Sequence, residues 1–380
     1  MHLKRKRNNI PIYMLLLGLL SIQIANPLKI YISVSFGTAL IALAAIFAFF
    51  SAISLETKVD SSLSIIVILA AVMLFSMMTN SGISISNIVT FLCFFEIPLF
   101  FYAYKELDSI RVKKTIYLVY FALSIFYIAL SFSGNAHILS TKGVNYIVSS
   151  LTLGFSNPNE TAIYLFVCFS VLLSMFFDVK KTLFKLVLLV DLIYIASMIC
   201  RTESRTMLVS LIAMIVLTFL FRNKRMPSLV VIFSFIVPVL FIFVLQSYGD
   251  LILLGERIET GRLDIFSRVT EKMTITKFFI GDYNFKFDNL HNLYVSVFGT
   301  IGIIGVTTFV LFLMKKTEYA LKNATSKVNR IAVIGFVILI ISSSTEAAVF
   351  VAGSAYAASV VTLYVLSVLK EGKKDESLTD

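Results

Sequence analysis

Residues 182–221 read TLFKLVLLVDLIYIASMIC, then RTESR, then TMLVSLIAMIVLTFLF, so that two apolar runs flank one polar pentapeptide. A helix needs roughly 20 apolar residues to cross the hydrocarbon layer of a bilayer, and each run is close to that length. Because the bilayer interior has no water to bond the backbone, an apolar run there is expected to form a helix. The stretch therefore predicts two spans, near 182–200 and 204–221, joined by a short turn.

Apolar runs of this kind recur along most of the chain. It has 380 residues, of which 58% are hydrophobic and 14% charged, and its mean hydropathy is +0.91. An ordinary soluble domain is about half apolar and about a quarter charged. The sequence therefore predicts an all-α, polytopic transmembrane bundle that forms one integral membrane domain over residues 1–380. The predicted spans, about twelve by this criterion, lie near 10–25, 29–54, 62–79, 83–104, 115–133, 159–177, 182–200, 204–221, 227–246, 290–314, 331–346 and 350–369.

The basic residues indicate how the chain is threaded through the bilayer. Lys and Arg accumulate in the cytoplasmic loops of membrane proteins, and most of the 33 Lys and Arg residues fall inside if the N-terminus is inside. We therefore expect a multi-pass protein of the cell (cytoplasmic) membrane with both termini, including the tail 370–380, in the cytoplasm. The net charge of +11 is then an orientation signal and indicates no nucleic-acid partner. The basic residues predicted outside are Lys29, Lys142, Arg201, Arg205, Arg257, Arg262, Arg268, Lys272, Lys277 and Lys286.

Two outer loops are predicted, at about 134–158 and 247–289. The second is longer than typical connections, and its frequent Ile, Leu, Phe and Tyr residues favour an ordered segment over a disordered one. Its amphipathic stretch Leu263–Phe279 predicts a helix along the outer membrane surface. At the end of the first loop, Asn157 is expected to cap the next helix, with Pro158 as its first residue.

The turn Arg201–Arg205 is the strongest candidate for a functional site. If this segment were helical, its two arginines would share a face, and a pair of guanidinium groups suits phosphate oxygens. The structural alternative is that Glu203 neutralises an interfacial turn while both arginines extend toward water. Positive charge outside breaks the inside-positive pattern, which favours a functional role.

Two further motifs flank the predicted surface helix. Thr260–Arg262 opens it, and there a glycine permits close backbone approach while Arg262 can face an anion. His291 closes the loop at the outer mouth of a span, where a histidine is suited to proton transfer near neutral pH. The alternative is an interfacial histidine that is simply hydrogen-bonded to Asp288 or Asn292. The glycines that follow His291 are expected to allow close packing rather than chemistry.

The remaining polar groups in the apolar runs favour structural roles. We expect the acidic residues at membrane depth to be paired or protonated within the bundle; they are Glu96, Asp191 and Glu346. The cysteines have no metal-ligand spacing, and the chain has no phosphate-cradling glycine loop; the cysteines are Cys93, Cys168 and Cys200. Neither a metal nor another cofactor is predicted.

Four short motifs occur in an order typical of one known family. They are Gly-Phe-Ser-Asn-Pro-Asn at 154–159, Arg-x-x-Ser-Arg at 201–205, Thr-Gly-Arg at 260–262 and His-Asn-Leu-Tyr at 291–294. In this order and spacing, over roughly residues 150–310, they resemble the O-antigen ligase and Wzy-type polysaccharide polymerase superfamily.

The resemblance implies glycosyl transfer on the outer face of the cytoplasmic membrane, for capsule or O-antigen biosynthesis. The donor would be an oligosaccharide carried on undecaprenyl diphosphate, and no metal or nucleotide would be required. Arginines would stabilise the diphosphate leaving group, and a histidine would activate the acceptor hydroxyl. The implied catalytic residues are His291, Arg205 and Arg262, and the implied substrate-binding residues are Arg201, Arg205, Arg262, Asn159, Asn292 and Tyr294.

The chain departs from the family in two respects. The tryptophan often found after the Gly-Arg pair is absent, and Phe266 is the nearest aromatic residue. The outer loop is short for a ligase, which favours the polymerase branch over the ligase branch. Besides the bilayer and the lipid-linked oligosaccharide, the resemblance is compatible with a flippase and a chain-length regulator as partner proteins.

Two other functions remain open at this level. A lipid-linked oligosaccharide flippase would have a similar number of spans and a cationic cavity, with charges spread through its central spans. A glycosyltransferase of the shape-and-division type, which makes peptidoglycan, would be expected to carry an acidic catalytic residue in its outer loop.

Overall fold

Helices dominate the part of the chain that the structure describes. In this computed structural model that part comprises residues 9–28, 33–53, 61–103, 109–133, 137–142, 146–155, 157–248, 252–253, 256–257, 262–285, 292–345 and 355–369. Two short helices, α10 (Arg262–Glu271) and α11 (Ile275–Ile280), precede α12 along the chain. The long helices are α1 (Ile10–Leu28), α2 (Val34–Ala52), α3 (Ser61–Asn80), α4 (Ile85–Ala103), α5 (Ser109–Ser131), α6 (Pro158–Asp178), α7 (Thr182–Arg201), α8 (Arg205–Phe221), α9 (Leu229–Tyr248), α12 (Leu293–Asn323), α13 (Lys327–Ser342) and α14 (Ala355–Val368).

Six of the described helices are long and apolar enough to cross a membrane, namely α1, α3, α5, α6, α7 and α12. The chain is therefore a helical membrane protein, as the composition predicts. Shorter apolar helical stretches lie at 36–51, 205–221 and 359–368. The predicted number of spans, which is larger than six, stays a prediction.

The centre of the bundle is built around α6 and α13. Every residue of α6 from Thr161 to Leu172 is buried, and a Cβ added at Gly335 of α13 would lie 3.1 Å from Ser170 Oγ of α6. In contrast, α7 has large exposed apolar side chains such as Val190 and Ile193. A helix that is buried all round belongs to the core, whereas an apolar exposed face suits contact with lipid.

The predicted loop at 134–158 contains a β-hairpin, which the all-α prediction did not include. Strand β1 (His137–Lys142) pairs antiparallel with β2 (Tyr146–Leu151), and His137 lies opposite Leu151. A second pair, β3 (Ile252–Leu253) and β4 (Glu256–Arg257), is only two residues long in each strand. Pairing satisfies backbone groups in a segment too short and polar to cross the membrane as a helix. The end of the bundle at which β1 and β2 lie is called the hairpin end below.

The single surface helix predicted over Leu263–Phe279 is wrong in detail, because two helices, α10 and α11, cover this stretch. Thr274 starts the second helix: its side chain accepts a hydrogen bond from Lys277 N at 3.3 Å. A threonine in extended conformation satisfies a free N–H of the next helix and so begins a new one. The amphipathic pattern alone did not show this break.

The long helix α12 is interrupted at Gly302, which has a φ of 66°. A Cβ at Gly302 would lie 2.4 Å from the carbonyl oxygen of Phe279, and a Cβ at Gly281 would lie 2.3 Å from Ile301 N. The end of α11 therefore packs backbone against backbone on the interruption. The prediction that these glycines serve close packing is confirmed at Gly302.

Helix α13 (Lys327–Ser342) differs from its predicted bounds, 331–346, whereas the described part of α14 (Ala355–Val368) lies within its predicted bounds, 350–369. The chain leaves helical geometry at the Ser343–Thr345 turn, in which Ser344 N bonds to Ile341 O at 3.1 Å. Glu346, which was assigned a structural role, lies outside the described residues.

Candidate functional site at the hairpin end

Arg201 and Arg205 belong to two different helices. Arg201 is the last residue of α7 and Arg205 the first of α8, while Glu203 between them has a φ of 58°. The Thr202 side chain closes the turn by accepting a hydrogen bond from Ser204 N at 3.3 Å. The two arginines therefore do not share a helix face, and the sharp turn points successive side chains in different directions.

The β-hairpin lies against this turn through two side-chain contacts. Arg201 Nη2 is 3.0 Å from His137 Nε2, and Ser150 Oγ donates to Glu203 Oε2 at 3.3 Å. His137 and Ser150 occupy adjacent positions at the open end of the hairpin ladder, because His137 pairs with Leu151 and Ile138 with Ser150. The predicted first outer loop and the Arg201–Arg205 turn thus meet in one place.

The start of α6 forms as the sequence predicts. Asn157 Oδ1 accepts a hydrogen bond from Asn159 N at 2.9 Å, and Pro158 is the first helical residue. Thr161 Oγ1 donates to Thr152 O at 2.7 Å and so ties this start to the segment that follows β2. Asn159, a predicted substrate-binding residue, is half-buried in the first turn and has contacts within the protein.

Asn292 caps α12 and is fully buried. Its Oδ1 accepts hydrogen bonds from Tyr294 N at 2.9 Å and Val295 N at 3.1 Å. Its Nδ2 donates to Ser344 O at 2.9 Å, which joins the start of α12 to the end of α13. The role of Asn292 in substrate binding stays a prediction, and in the structure its side-chain oxygen and one amide hydrogen stabilise the fold.

The Ser343–Thr345 turn connects two of the predicted motifs. Thr345 Oγ1 lies 3.0 Å from Thr206 Oγ1, next to Arg205, while Ser344 O accepts from Asn292. The starts of α8 and α12 therefore flank the same turn. No local sequence pattern indicates this link, because its two contacts join residues that are 139 and 52 positions apart.

Tyr294 packs toward α13 rather than toward the hairpin. Its hydroxyl donates to Ile340 O at 3.4 Å, and its side chain is half-buried. The remaining predicted residue of this motif, His291, lies outside the described residues, as do Thr260, Gly261 and Asp288. Arg262 is the first residue of α10. Val269 of the same helix would be 3.4 Å from a Cβ at Gly299, so α10 lies beside the first half of α12.

The carboxylate of Asp282 is held by the protein. Lys277 Nζ lies 2.7 Å from Asp282 Oδ2, and Asn284 N donates to Asp282 Oδ1 at 3.1 Å. Burial alone would raise the pKa of Asp282, but the hydrogen bonds from Lys277 and Asn284 outweigh it and bring the pKa below its usual value. Asp282 N also donates to Gly299 O at 2.7 Å, which fastens the segment to α12.

Among the other polar groups singled out in the sequence, Asp191 has structural surroundings. Ser124 Oγ donates to Asp191 Oδ2 at 2.6 Å between α5 and α7, in line with the structural role expected for Asp191. Cys168 is buried and Cys200 exposed. Within the described ranges, no three His, Cys, Asp or Glu residues are grouped in a way that could hold a metal ion.

The hairpin end therefore collects hydrogen-bond donors and positive charge. Arg201, at the end of α7, is exposed, Arg205, at the start of α8, is half-buried, and the Thr345 hydroxyl lies 3.0 Å from the Thr206 hydroxyl in the first turn of α8. Guanidinium groups in such a setting suit a phosphate or diphosphate. No protein-family model, curated protein or solved structure matches the chain.

Proposed function

We propose that this protein is a polysaccharide polymerase that joins undecaprenyl-diphosphate-linked oligosaccharide repeat units at the outer face of the cytoplasmic membrane. The observation that carries the proposal is the meeting of distant motifs at the hairpin end. The Arg201–Arg205 turn contacts the hairpin on one side and, through Thr206 and the Ser343–Thr345 turn, the capped start of α12 on the other. Along the sequence His137 lies 64 residues before Arg201, and Thr206 lies 139 residues before Thr345, so only the folded chain brings these motifs together.

The proposed topology places this end outside. If the long helices α1–α9 and α12–α14 each cross once, the chain crosses twelve times, and the start of α1 and the end of α14 both lie at the other end. That other end carries Lys113, paired with Asp178 at 2.9 Å, and Arg330, whose Nη2 donates to Thr325 O at 2.8 Å. Basic residues concentrated there agree with a cytoplasmic location.

The proposed reaction transfers a glycosyl group between two lipid-linked molecules. The bond between the anomeric carbon of the donor sugar and the diphosphate oxygen breaks, and a bond from that carbon to the acceptor oxygen forms. His291 accepts the proton of the acceptor hydroxyl, and the electron pair of the broken bond leaves with the diphosphate. Arg201, Arg205 and Arg262 stabilise the negative charge that develops on this leaving group.

Asn292 has a positioning role in this proposal. As the buried cap of α12, with its side chain bonded to Ser344 O, it fixes the start of the helix that follows the proposed base in the sequence. A base must lie within hydrogen-bond reach of the proton that it removes, so a rigid neighbour favours catalysis.

A lipid-linked oligosaccharide flippase is the second candidate, and the interruption of α12 at Gly302 favours it, because transporters often bind substrates at broken helices. Against it, the interruption is filled by the backbone of Phe279 and Ile280, which lies against Gly302. A substrate site would need that space. The polymerase is therefore the better supported function, and a ligase would share its site chemistry.

The test uses purified protein in proteoliposomes with lipid-linked repeat units as the only substrate. The polymerase proposal expects products of two or more repeats from the wild type, and a loss of roughly a hundredfold or more for Arg205→Ala or His291→Ala. Arg225→Ala, at an exposed position in the α8–α9 connection, is the matched control and should keep wild-type activity. Transfer of single repeats between leaflets without any longer product would overturn the polymerase in favour of the flippase.

A further inference from the structure

His137 is the protein partner of Arg201 in the described part of the chain. Arg201 Nη2 lies 3.0 Å from His137 Nε2. A guanidinium group can only donate hydrogen bonds, so Nε2 must accept and cannot carry a proton. In this contact the imidazole is therefore neutral, with its proton on Nδ1, which is buried and has no protein partner among the described residues.

A neutral partner leaves the charge of Arg201 intact. Among the described residues no carboxylate is paired with Arg201, and its contact with His137 is the one that the structure shows. Glu203, two residues away, accepts a hydrogen bond from Ser150 of the hairpin instead. A carboxylate partner would hold the guanidinium but cancel its charge, whereas an imidazole holds it and leaves the charge available to an anion.

The position of His137 depends on the hairpin. Strand pairing fixes His137 opposite Leu151, next to the pair that contains Ser150. The contacts of His137 and Ser150 with Arg201 and Glu203 therefore dock the open end of the hairpin on the α7–α8 turn at two points. Changing His137 alone leaves the second contact in place, so the role of His137 can be tested without removing the hairpin.

We propose that His137 is a positioning residue for Arg201: as a neutral acceptor it orients the guanidinium, which then binds a phosphate group of an anionic ligand. The inference deepens the proposed function and rests on it in one respect, namely that the phosphate belongs to the lipid diphosphate. It assigns a task to a residue that the sequence motifs do not contain.

Three substitutions separate positioning from simple attachment of the hairpin. His137→Gln keeps a neutral hydrogen-bond acceptor, and His137→Glu supplies a charged acceptor of nearly the same shape as the Gln side chain. His137→Leu removes the acceptor. If His137 only attached the hairpin, the Glu variant would be at least as good as the Gln variant, because an ion pair with Arg201 is the stronger contact. If His137 positions a charged Arg201, the Gln variant is better than the Glu variant.

The measurement is binding of undecaprenyl diphosphate to the purified protein in nanodiscs, followed by the donor KM and kcat in the chain-extension assay. We expect affinity within about twofold of wild type for His137→Gln and about tenfold weaker for His137→Leu, since a charge-assisted contact is lost. The Glu variant should be weaker still, and the changes should fall on KM more than on kcat. An affinity of the Glu variant equal to that of the Gln variant would overturn the inference.

Folding defects do not block the test. If the Leu or Glu variant fails to fold, His137→Gln and Arg201→Gln still decide, because the first must keep diphosphate binding and the second must lose it by about tenfold. If both keep it, or both lose it while remaining folded, the inference is wrong.

Two further probes identify the source of the phosphate and separate this inference from the proposed function. Inorganic diphosphate tests a free anion, and nanodiscs with added phosphatidylglycerol test an ordinary lipid headgroup. Competition by inorganic diphosphate but not by phosphatidylglycerol supports a diphosphate site, whereas competition by phosphatidylglycerol alone would overturn it.

If the His137 series behaves as expected but no chain is extended, the polymerase proposal fails and the anion site stands. If chains are extended but the His137 substitutions do not change diphosphate binding, the polymerase proposal stands and the inference about His137 fails.

Discussion

Glu203 and Gly302 both have left-handed backbone geometry, but the reason for it differs between the two positions. Glu203 in the α7–α8 turn has a φ of 58° and an exposed side chain that bonds to Ser150. Gly302 in α12 has a φ of 66° and is enclosed by the backbone of Phe279 and Ile280. A side chain fits at the first position and not at the second. The α7–α8 turn therefore retains a strained, charged residue where a glycine would be easier, which is typical of functional segments, whereas the interruption of α12 is a packing device.

The largest effect is expected for Gly302→Ala. The new Cβ would lie 2.4 Å from the Phe279 carbonyl oxygen, and the alanine backbone would have to adopt left-handed geometry. We therefore expect a loss of about 2–4 kcal/mol in the free energy of unfolding. Thermal unfolding in detergent, followed by size-exclusion chromatography, measures it. Gly299→Ala on the same helix is the control, because its nearest new neighbour is at an ordinary 3.4 Å. Equal losses in the two variants would contradict the packing role of Gly302.

A smaller effect is expected for Asp282→Asn, which weakens the attachment of the segment after α11 to α12. Lys277 is partly exposed, so we expect a loss of about 1 kcal/mol at neutral pH. Because the folded-state pKa of Asp282 is lowered, its stabilising contribution is fully present above the unfolded value of about 3.9 and is lost as pH falls through the lower folded value.

The difference in thermal stability between wild type and Asp282→Asn should therefore shrink on acidification below about pH 4. A melting series from neutral to acidic buffer measures this difference. A gap that stays constant over the series would show that the carboxylate charge is not what holds this segment.

Glu203→Gly should raise stability, by about 0.5–1 kcal/mol, because glycine adopts left-handed geometry without strain. The same change removes the contact with Ser150, so chain extension should fall while the melting temperature rises. Glu203→Gln is the matched control, since it keeps the backbone strain and should show no gain in stability. A stability gain in the Gln variant would mean that charge, and not backbone geometry, limits stability at this turn.

The smallest change in stability, within about 0.5 kcal/mol, is expected for Ile275→Trp. Ile275 in α11 is 82% exposed, and the chain has no tryptophan of its own, so the new side chain is the only tryptophan fluorophore. If α11 lies at the membrane surface, brominated lipids should quench the fluorescence of Ile275→Trp more than that of Lys322→Trp. Lys322 lies in the last turn of α12. Quenching of Ile275→Trp that does not exceed that of Lys322→Trp would contradict a membrane-surface position of α11.

Features that depend on neighbouring residues were predictable from the sequence. The Asn157 cap and Pro158 at the start of α6 were correct because capping needs only the two residues that follow. The split of the surface helix at Thr274 could have been found by the same rule. The hairpin also left a signal, since the runs HILSTK and YIVSSL flank the turn-forming residues Gly143 and Asn145.

Features that depend on distant residues were not predictable. The sequence showed the arginines of the α7–α8 turn but assigned no partner to His137, which lies 64 residues before Arg201. Nor could it show that Ser344 accepts a hydrogen bond from Asn292, or that Thr345 touches Thr206. Such contacts arise when separate helices pack, and no local pattern records which helix ends become neighbours.

Composition and hydrophobic runs alone were enough to establish a helical membrane protein, because the bilayer requires internally bonded, apolar helices whatever their partners are. The place where the polar ends of those helices meet depended on packing: on α6 and α13 at the centre, on the glycine contact at Gly302, and on the hairpin that brings His137 to Arg201. Those contacts need side chains and backbones of complementary shape from remote parts of the chain, and only the folded arrangement brings them together.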